Sequence, residues 1–448
     1  MRTLIFNANI ITGDGKTFLE NKSLVLNGEV IDGIMAVTHP TYAAADLAID
    51  AEGGFVIPGI IDNHVHGITM APFNDGNASP ALPKSRVEQN QRRHLLQGST
   101  TLVNTDGFAT KEEMEEARCL TPMLLQTLTT HTPLYLKFAK ILNLGGLEDK
   151  HWLNAEDRIK EGALGIGEGS GTSDTSYFIL NYIPITVREK TGVQISMGEA
   201  EILYSAFFAG KPDKKAAQDL MARRDIFSAT EDLKELANQC AQHVKFGTEA
   251  TQEAAKLADK LGKPFYMQSS PGTKTQVLEL VRELKSLLIA CHCNFVYKPK
   301  EALEVARAVK KAQGWVDIHT GDFFGPRQFF PNHATTLALL AEGLADTISS
   351  DYIAGYWDSI PQVLKYAIEQ KVIDLPTAIA LATGNVKKAI PDVAPNRGQI
   401  AEGKIADLVI LDRNDISKVR AVLIRGRVVV DEGRIVIQKS GSNAADIN

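Results

Sequence analysis

From residue 55 to about residue 396 the chain alternates short apolar runs with longer stretches of helical periodicity. That alternation predicts an α/β fold with a parallel sheet. The two ends of the chain have a different pattern. Residues 4–6, 10–12 and 23–26 are short, apolar or β-branched, with turns at Gly13-Asp14-Gly15 and Asn27-Gly28-Glu29. So few strands cannot hold a core alone. Matching runs stand at the other terminus, at 403–412, 419–424, 428–430 and 435–437. The economical arrangement is one β-sandwich built from residues 1–54 and 397–438. Residues 55–396 form a second domain inserted between them, and 439–448 form a frayed tail.

Within the central region, the run 55–67 ends in two histidines, His64 and His66. In a strand, residues i and i+2 share a face, so both imidazoles converge on one point, as a divalent metal requires of its first two ligands. The bland alternative is a pair of satisfied histidines at a strand end. Further strands are expected at 99–107, within 134–144, and at 162–171, where Glu168 stands among glycines. Four more follow at 262–270 with Gln268, 286–294 with His292, 315–322 with His319, and 345–352 with Asp351 and Tyr352. Helices are expected at 84–97, 111–127, 252–260 and 375–381. The stretch 172–240 is too long for an ordinary connection and is helical in pattern. It reads as a lid that shapes a substrate pocket or as a helical hairpin for subunit contact.

The first-strand phrase closely resembles a signature of the amidohydrolase superfamily. Pro58-Gly59 precedes the apolar run, Asp62 lies within it, and Gly67 follows the histidines. The phrase Gly403-Lys404-Ile405-Ala406-Asp407-Leu408-Val409 is also similar to that superfamily, and Ala382-Thr383-Gly384-Asn385 resembles its enamidase and imidazolonepropionase members. The resemblance covers nearly the whole chain. It implies a (β/α)8, TIM-like barrel with a small β-sandwich domain. It implies one or two divalent ions, zinc by expectation, held by His64, His66, Glu168, His292 and Asp351. Where the superfamily has a fifth-strand histidine this chain has Gln268. Glutamine is a neutral oxygen donor and a poor partner for a zinc-like ion, so a second metal is expected to be weakly held or missing.

A cation so held lowers the pKa of water towards ~7 and polarises a carbonyl or amidine carbon. Asp351 is then the expected general base and later general acid, and His292 binds a second ion or polarises the carbonyl. Asp106, Gln268, His319 and Tyr352 are the candidate substrate contacts. The implied activity is hydrolysis of a carbon–nitrogen bond other than a peptide bond: an amide, a cyclic amide or imide, or a deamination. Two alternatives stay open. Ser349-Ser350-Asp351-Tyr352 looks like the phosphonate-pathway members that cleave a triphosphate, which would call on Arg188, Lys190 and Arg327. The fifth-strand substitution also suits a catalytically silent structural subunit.

Composition narrows the picture further. The 448 residues are 44% hydrophobic, enough for one large barrel and a smaller domain. A formal net charge of −6 does not suggest a nucleic-acid or anionic-membrane partner, so the expected partner is a small-molecule substrate. Homo-oligomers are common among such enzymes. The four cysteines are too scattered for a disulfide framework. Cys291 and Cys293 flank His292, and strand alternation sends both sulfurs to the face opposite it. Residues 1–6 lack a signal peptide's apolar core, and no apolar run approaches the ~18 residues of a membrane helix, so a cytoplasmic protein is expected.

Overall fold

The structure is a computed structural model. It describes residues 1–36, 45–66, 84–104, 129–131, 164–169, 175–208, 214–294, 297–321, 323–324, 333–353, 358–393 and 395–436.

Both ends of the chain build one sheet of nine strands. The N-terminal strands are β1 (Arg2–Ile11), β2 (Phe18–Asn27), β3 (Val30–Ala36), β4 (Leu47–Asp50) and β5 (Phe55–Pro58). After the barrel strands β6–β14, given below, the C-terminus supplies β15 (Leu408–Leu411), β16 (Val419–Ile424), β17 (Arg427–Asp431) and β18 (Arg434–Ile435). Their order is β18-β17-β16-β15-β5-β1-β2-β3, with β4 beside β1. β5 joins the two ends, running parallel to β1 and antiparallel to β15 with Val56 opposite Ile410. Val30 bridges to Ile405, so the sheet curls around a core that includes Ile5, Ile10, Leu24, Val56, Leu408 and Leu423.

The apolar run that reads as a single strand from residue 55 is cut at Gly59. Its first part belongs to the terminal sheet, and its second part opens the barrel as β6 (Ile60–His66). A Cβ on Gly59 would lie 2.1 Å from Oγ1 of Thr100, so only glycine lets the chain cross from one sheet to the other here.

The other barrel strands are β7 (Ser99–Asn104), β8 (Thr129–His131), β9 (Ile166–Gly169), β10 (Phe265–Gln268), β11 (Leu288–Cys291), β12 (Trp315–His319), β13 (Thr347–Ser349) and β14 (Tyr352–Ile353). They form two parallel sheets, β14-β6-β7-β8 and β13-β12-β11-β10-β9. The eighth strand joins them: β13 pairs with β12, and its continuation β14 pairs with β6. The result is an α/β barrel of eight parallel strands, with helices in the connections among the described residues. No β8–β9 ladder is present among the described residues. The third strand departs from expectation. It is the β-branched segment Thr129–His131, upstream of 134–144, a span that includes Lys137 and Lys140 and lies outside the described residues. The helix expected at 111–127 also lies outside them.

Around the barrel run α1 (Lys84–Leu96) and, after β9, the insertion helices α2 (Thr175–Thr191), α3 (Met197–Phe207) and α4 (Lys214–Arg224). The long helix α5 (Thr230–Leu261) leads into β10 and ends at Gly262 in the left-handed conformation. Residues 172–240 do not end at a loop. The start of α5 packs Leu233 with Ile183, Val187, Leu203, Leu220 and Met221 in a separate helical core. Its later turns put Ala254, Ala255 and Ala258 into the barrel core. The insertion is thus a helical unit grown on the N-terminal part of a barrel helix. Among the described residues, no helix is long and apolar enough to cross a membrane.

Candidate metal centre

The C-terminal ends of four barrel strands carry the polar side chains that matter. His64 comes from β6, His292 follows β11, His319 ends β12, and Asp351 lies between β13 and β14. All four are buried. Atoms of His64, His292 and Asp351 lie within 4.8 Å of one another. Nε2 of His64 is 3.8 Å from Oδ1 of Asp351, and Nε2 of His292 is 3.5 Å from Oδ2. Nδ1 of His319 lies 3.1 Å from the same Oδ2. The three imidazoles stand in a row, with centroids 4.9 Å apart from His64 to His292 and again from His292 to His319.

Local backbone shape makes this meeting happen. His292 and Asp351 both adopt left-handed conformations, at φ 60° and 48°. Non-glycine residues hold such angles only where their surroundings enforce them, and they cluster at functional sites. For Asp351 the enforcing contacts come from β6. The N–H of Asp351 donates to the His64 carbonyl at 3.0 Å, and the N–H of Ser350 donates to Oδ1 of Asp62 at 2.8 Å. Asp62 in turn faces Nδ1 of His94 on α1 at 3.4 Å, and both side chains are fully buried. β6 is not a regular strand here, because its register against β7 slips between Asp62 and Val65.

Electrostatics follow from the cluster. Burial works against charge on Asp351, but His292, then His319 and His64, outweigh it and hold the carboxyl far below the ordinary carboxylate range. Beneath the cluster lies a second buried carboxylate, Asp317. Its Oδ1 accepts from Thr347 at 2.5 Å and Asn63 at 3.2 Å, and its Oδ2 accepts from Ser349 at 2.7 Å. Burial is the larger influence there and raises its pKa.

Two imidazoles and an ionised carboxylate, buried and converging, are a donor set that fits zinc or another first-row divalent ion. Among the described residues the cysteines take no part in that group. The thiol of Cys293 is pushed up to about 12 by burial, and its sulfur bonds the Ala290 carbonyl at 3.3 Å. Gln268 closes β10 opposite Cys291 and is half-buried. The side chains of His66, Glu168 and Tyr352, and the whole of Asp106, lie outside the described residues. Of the residues expected to form the centre, the structure therefore brings together His64, His292 and Asp351, with His319 against the last.

Three residues around the site are not among the candidates the sequence offers: His94, Asn294 and Asp317. Asp317 had a signal, because it precedes His319 by two and so shares its face of β12. Asn294 follows His292 by two, but outside a strand that spacing says nothing. His94 carries no signal in its neighbourhood.

Comparison with known proteins agrees with this fold. Residues 218–437 match the model of the amidohydrolase family. Over 106 residues the chain is 29% identical to adenine deaminase 2 of Latilactobacillus sakei subsp. sakei (strain 23K). That match covers 22% of this chain and only 17% of the deaminase. The fold is similar to that of β-aspartyl dipeptidase from Fervidobacterium islandicum AW-1 in complex with a β-Asp-Leu dipeptide, with TM-score 0.59, 16% identity and 98% of each chain covered. It is also similar to that of D-hydantoinase (dihydropyrimidinase) from a Thermus species, with TM-score 0.54 and 16% identity over 98% of this chain and 97% of that one. Over residues 218–437 the chain is thus similar to the amidohydrolase family, and over nearly its whole length it shares the fold of these hydrolases.

Proposed function

We propose that the chain is a metal-dependent hydrolase of a carbon–nitrogen bond in a small molecule: an amide, a cyclic amide or imide, or an amino-substituted heterocycle. The observation that carries this reading is the convergence of His64, His292 and Asp351, from three separate strands, on one buried point. The similarity to a dipeptidase, a hydantoinase and an adenine deaminase supports the reaction class.

In this reading His64, His292 and Asp351 hold a divalent ion, with zinc the leading candidate, and His66 and Glu168 complete the set. The bound ion supplies Lewis acidity, acidifying water and polarising the carbon under attack. The side chains do the rest. Asp351 stands at the centre of the cluster, 3.8 Å from His64 and 3.5 Å from His292, so it is placed to take the proton of the attacking water and return it to the departing nitrogen. His292 lies against Oδ2 of Asp351 and has one of two roles: it ligates the ion, or, where the other residues hold the ion without it, it steadies the oxygen that gains charge. Burial of the cluster keeps bulk water away, which strengthens each of these interactions. Gln268, His319, Tyr352 and Asp106 are the proposed substrate contacts at the rim.

The test is a screen of cyclic imides, β-aspartyl dipeptides, N-acyl amino acids and amino-heterocycles against zinc-loaded protein, with Asp351→Asn run beside it. The expected result is turnover of one of these classes by the wild type. Loss of at least about 100-fold in the variant is expected, in keeping with general acid–base contributions. Wild-type rates in Asp351→Asn would refute the assigned role.

A further inference from the structure

His319 is held more firmly than a rim histidine needs to be. The side chain of Asn294 grips both backbone groups of that residue, accepting its N–H at 3.0 Å and donating to its carbonyl at 2.9 Å. The same Asn294 amide donates to Thr336 Oγ1 at 3.0 Å, which ties the grip to the helix His333–Ala341. Past the end of β12 the ladder to the eighth strand continues, with Thr320 N–H to Ser349 O and Gly321 N–H to Ser350 O, both at 2.9 Å. The chain at His319 is therefore locked to the residue just before Asp351. Gly321 completes the fit. It has φ 29°, and a Cβ there would sit 2.9 Å from both Nδ1 and Cε1 of the His319 ring. Only a glycine leaves the imidazole where it is.

This machinery delivers one atom, Nδ1, to a point 3.1 Å from Oδ2 of Asp351. An aspartate's terminal torsion is broad and roughly two-fold, so the carboxylate plane is set by what its oxygens touch. We propose that His319 is a positioning residue for Asp351: its Nδ1, 3.1 Å from Oδ2, becomes that oxygen's donor after a small turn of the ring and so sets Oδ1 towards Nε2 of His64. The carboxylate then presents a fixed oxygen to the ion that His64 and His292 would share. This inference rests on the metal-hydrolase reading of those three residues. It adds a residue from the seventh strand that acts through Asp351. Outer hydrogen bonds of this kind fix the orientation and basicity of ligands, and their loss typically weakens metal binding.

The experiment uses the full chain, stripped of metal and titrated with Co2+ alone. Affinity is read by chelator competition, and ligand geometry by the visible absorption of bound cobalt. Three proteins are compared: wild type, His319→Asn, whose amide nitrogen can stand where Nδ1 stands, and His319→Phe, a ring without a donor. His319→Phe is expected to bind Co2+ about 10- to 100-fold more weakly with an altered spectrum, in line with outer-shell losses. The metal-free melting temperature should stay close to wild type. His319→Asn is expected to keep the wild-type spectrum and to stay within about threefold in affinity, because the donor is retained. If the phenylalanine variant does not fold, His319→Leu carries the same expectation. Wild-type affinity and spectrum in the donor-less variant would overturn the proposal, and so would an asparagine variant as weak as the phenylalanine one. Failure of the wild type itself to take up Co2+ would instead overturn the metal-hydrolase reading, and this inference with it.

Discussion

Replacing Asp317 by leucine removes an acceptor that serves donors on two other strands, β6 and β13, and the cost can be worked out bond by bond. Its Oδ1 receives Thr347 and Asn63, and its Oδ2 receives Ser349, all inside the barrel. Each buried donor left without an acceptor costs about 1–3 kcal/mol. The two hydroxyls can rotate to other acceptors, whereas the Asn63 amide has less freedom. Leucine also relieves the burial of a carboxylate. The expected net loss for Asp317→Leu is therefore about 2–5 kcal/mol, the range for breaking a buried polar network. Asp317→Asn behaves differently. Its amide oxygen can keep the Thr347 and Asn63 bonds, and its nitrogen can donate to a rotated Ser349 hydroxyl. The expected cost is at most about 1 kcal/mol. The sign of the pH effect follows from burial, which raises the Asp317 pKa in the folded chain. The folded state thus holds this proton more tightly than the unfolded chain. That contribution to stability is full below the ordinary carboxylate pKa and is lost as pH rises through the raised value. Asp317→Asn lacks this loss, so it should gain on the wild type between mildly acidic and neutral pH. Urea melts of the three proteins at both pH values measure all of this. A leucine variant within about 0.5 kcal/mol of wild type, the scale of an ordinary surface change, would refute the network's role.

Two further predictions concern packing and reactivity. Gly59→Ala forces a Cβ to 2.1 Å from Thr100 Oγ1 and 2.6 Å from its Cγ2. Overpacking of this kind costs about 1–3 kcal/mol, read as a lowered melting temperature, and Thr100→Ala in the same chain should recover part of it. Cys291 and Cys293 are buried, with the Cys293 thiol pushed up to about 12, so both should resist iodoacetamide in the native protein and react once it is unfolded. Peptide mass spectrometry after labelling checks this, and fast native labelling of Cys293 would contradict the account.

Much of the barrel was legible because periodicity carries it. The ends of β11, β12 and the eighth strand fall where apolar runs give way to His292, His319 and Asp351. Less legible was anything set by a single atom's clearance. The run from Phe55 looks like one strand, and only the lack of space at Gly59 divides it between two sheets. The slip in β6 hides in the same way, since Asp62, Asn63 and His64 cannot announce a bulge by their types. Long-range grips leave no local trace either. Asn294 recognises the backbone of His319, and Asp62 recognises the N–H of a residue 288 positions later. The helical insertion was visible as excess length, but its fusion to α5 was not, because one helix serves two cores.

The central claim is that His64, His292 and Asp351 grip one divalent ion. Its most direct test is a crystal of zinc-loaded protein, with anomalous data collected on both sides of the zinc edge. The account predicts a zinc peak bonded to Nε2 of His64 and to Asp351, with His292 facing the same ion. Zinc bound elsewhere, or a fully loaded crystal with no peak among these three side chains, would contradict it.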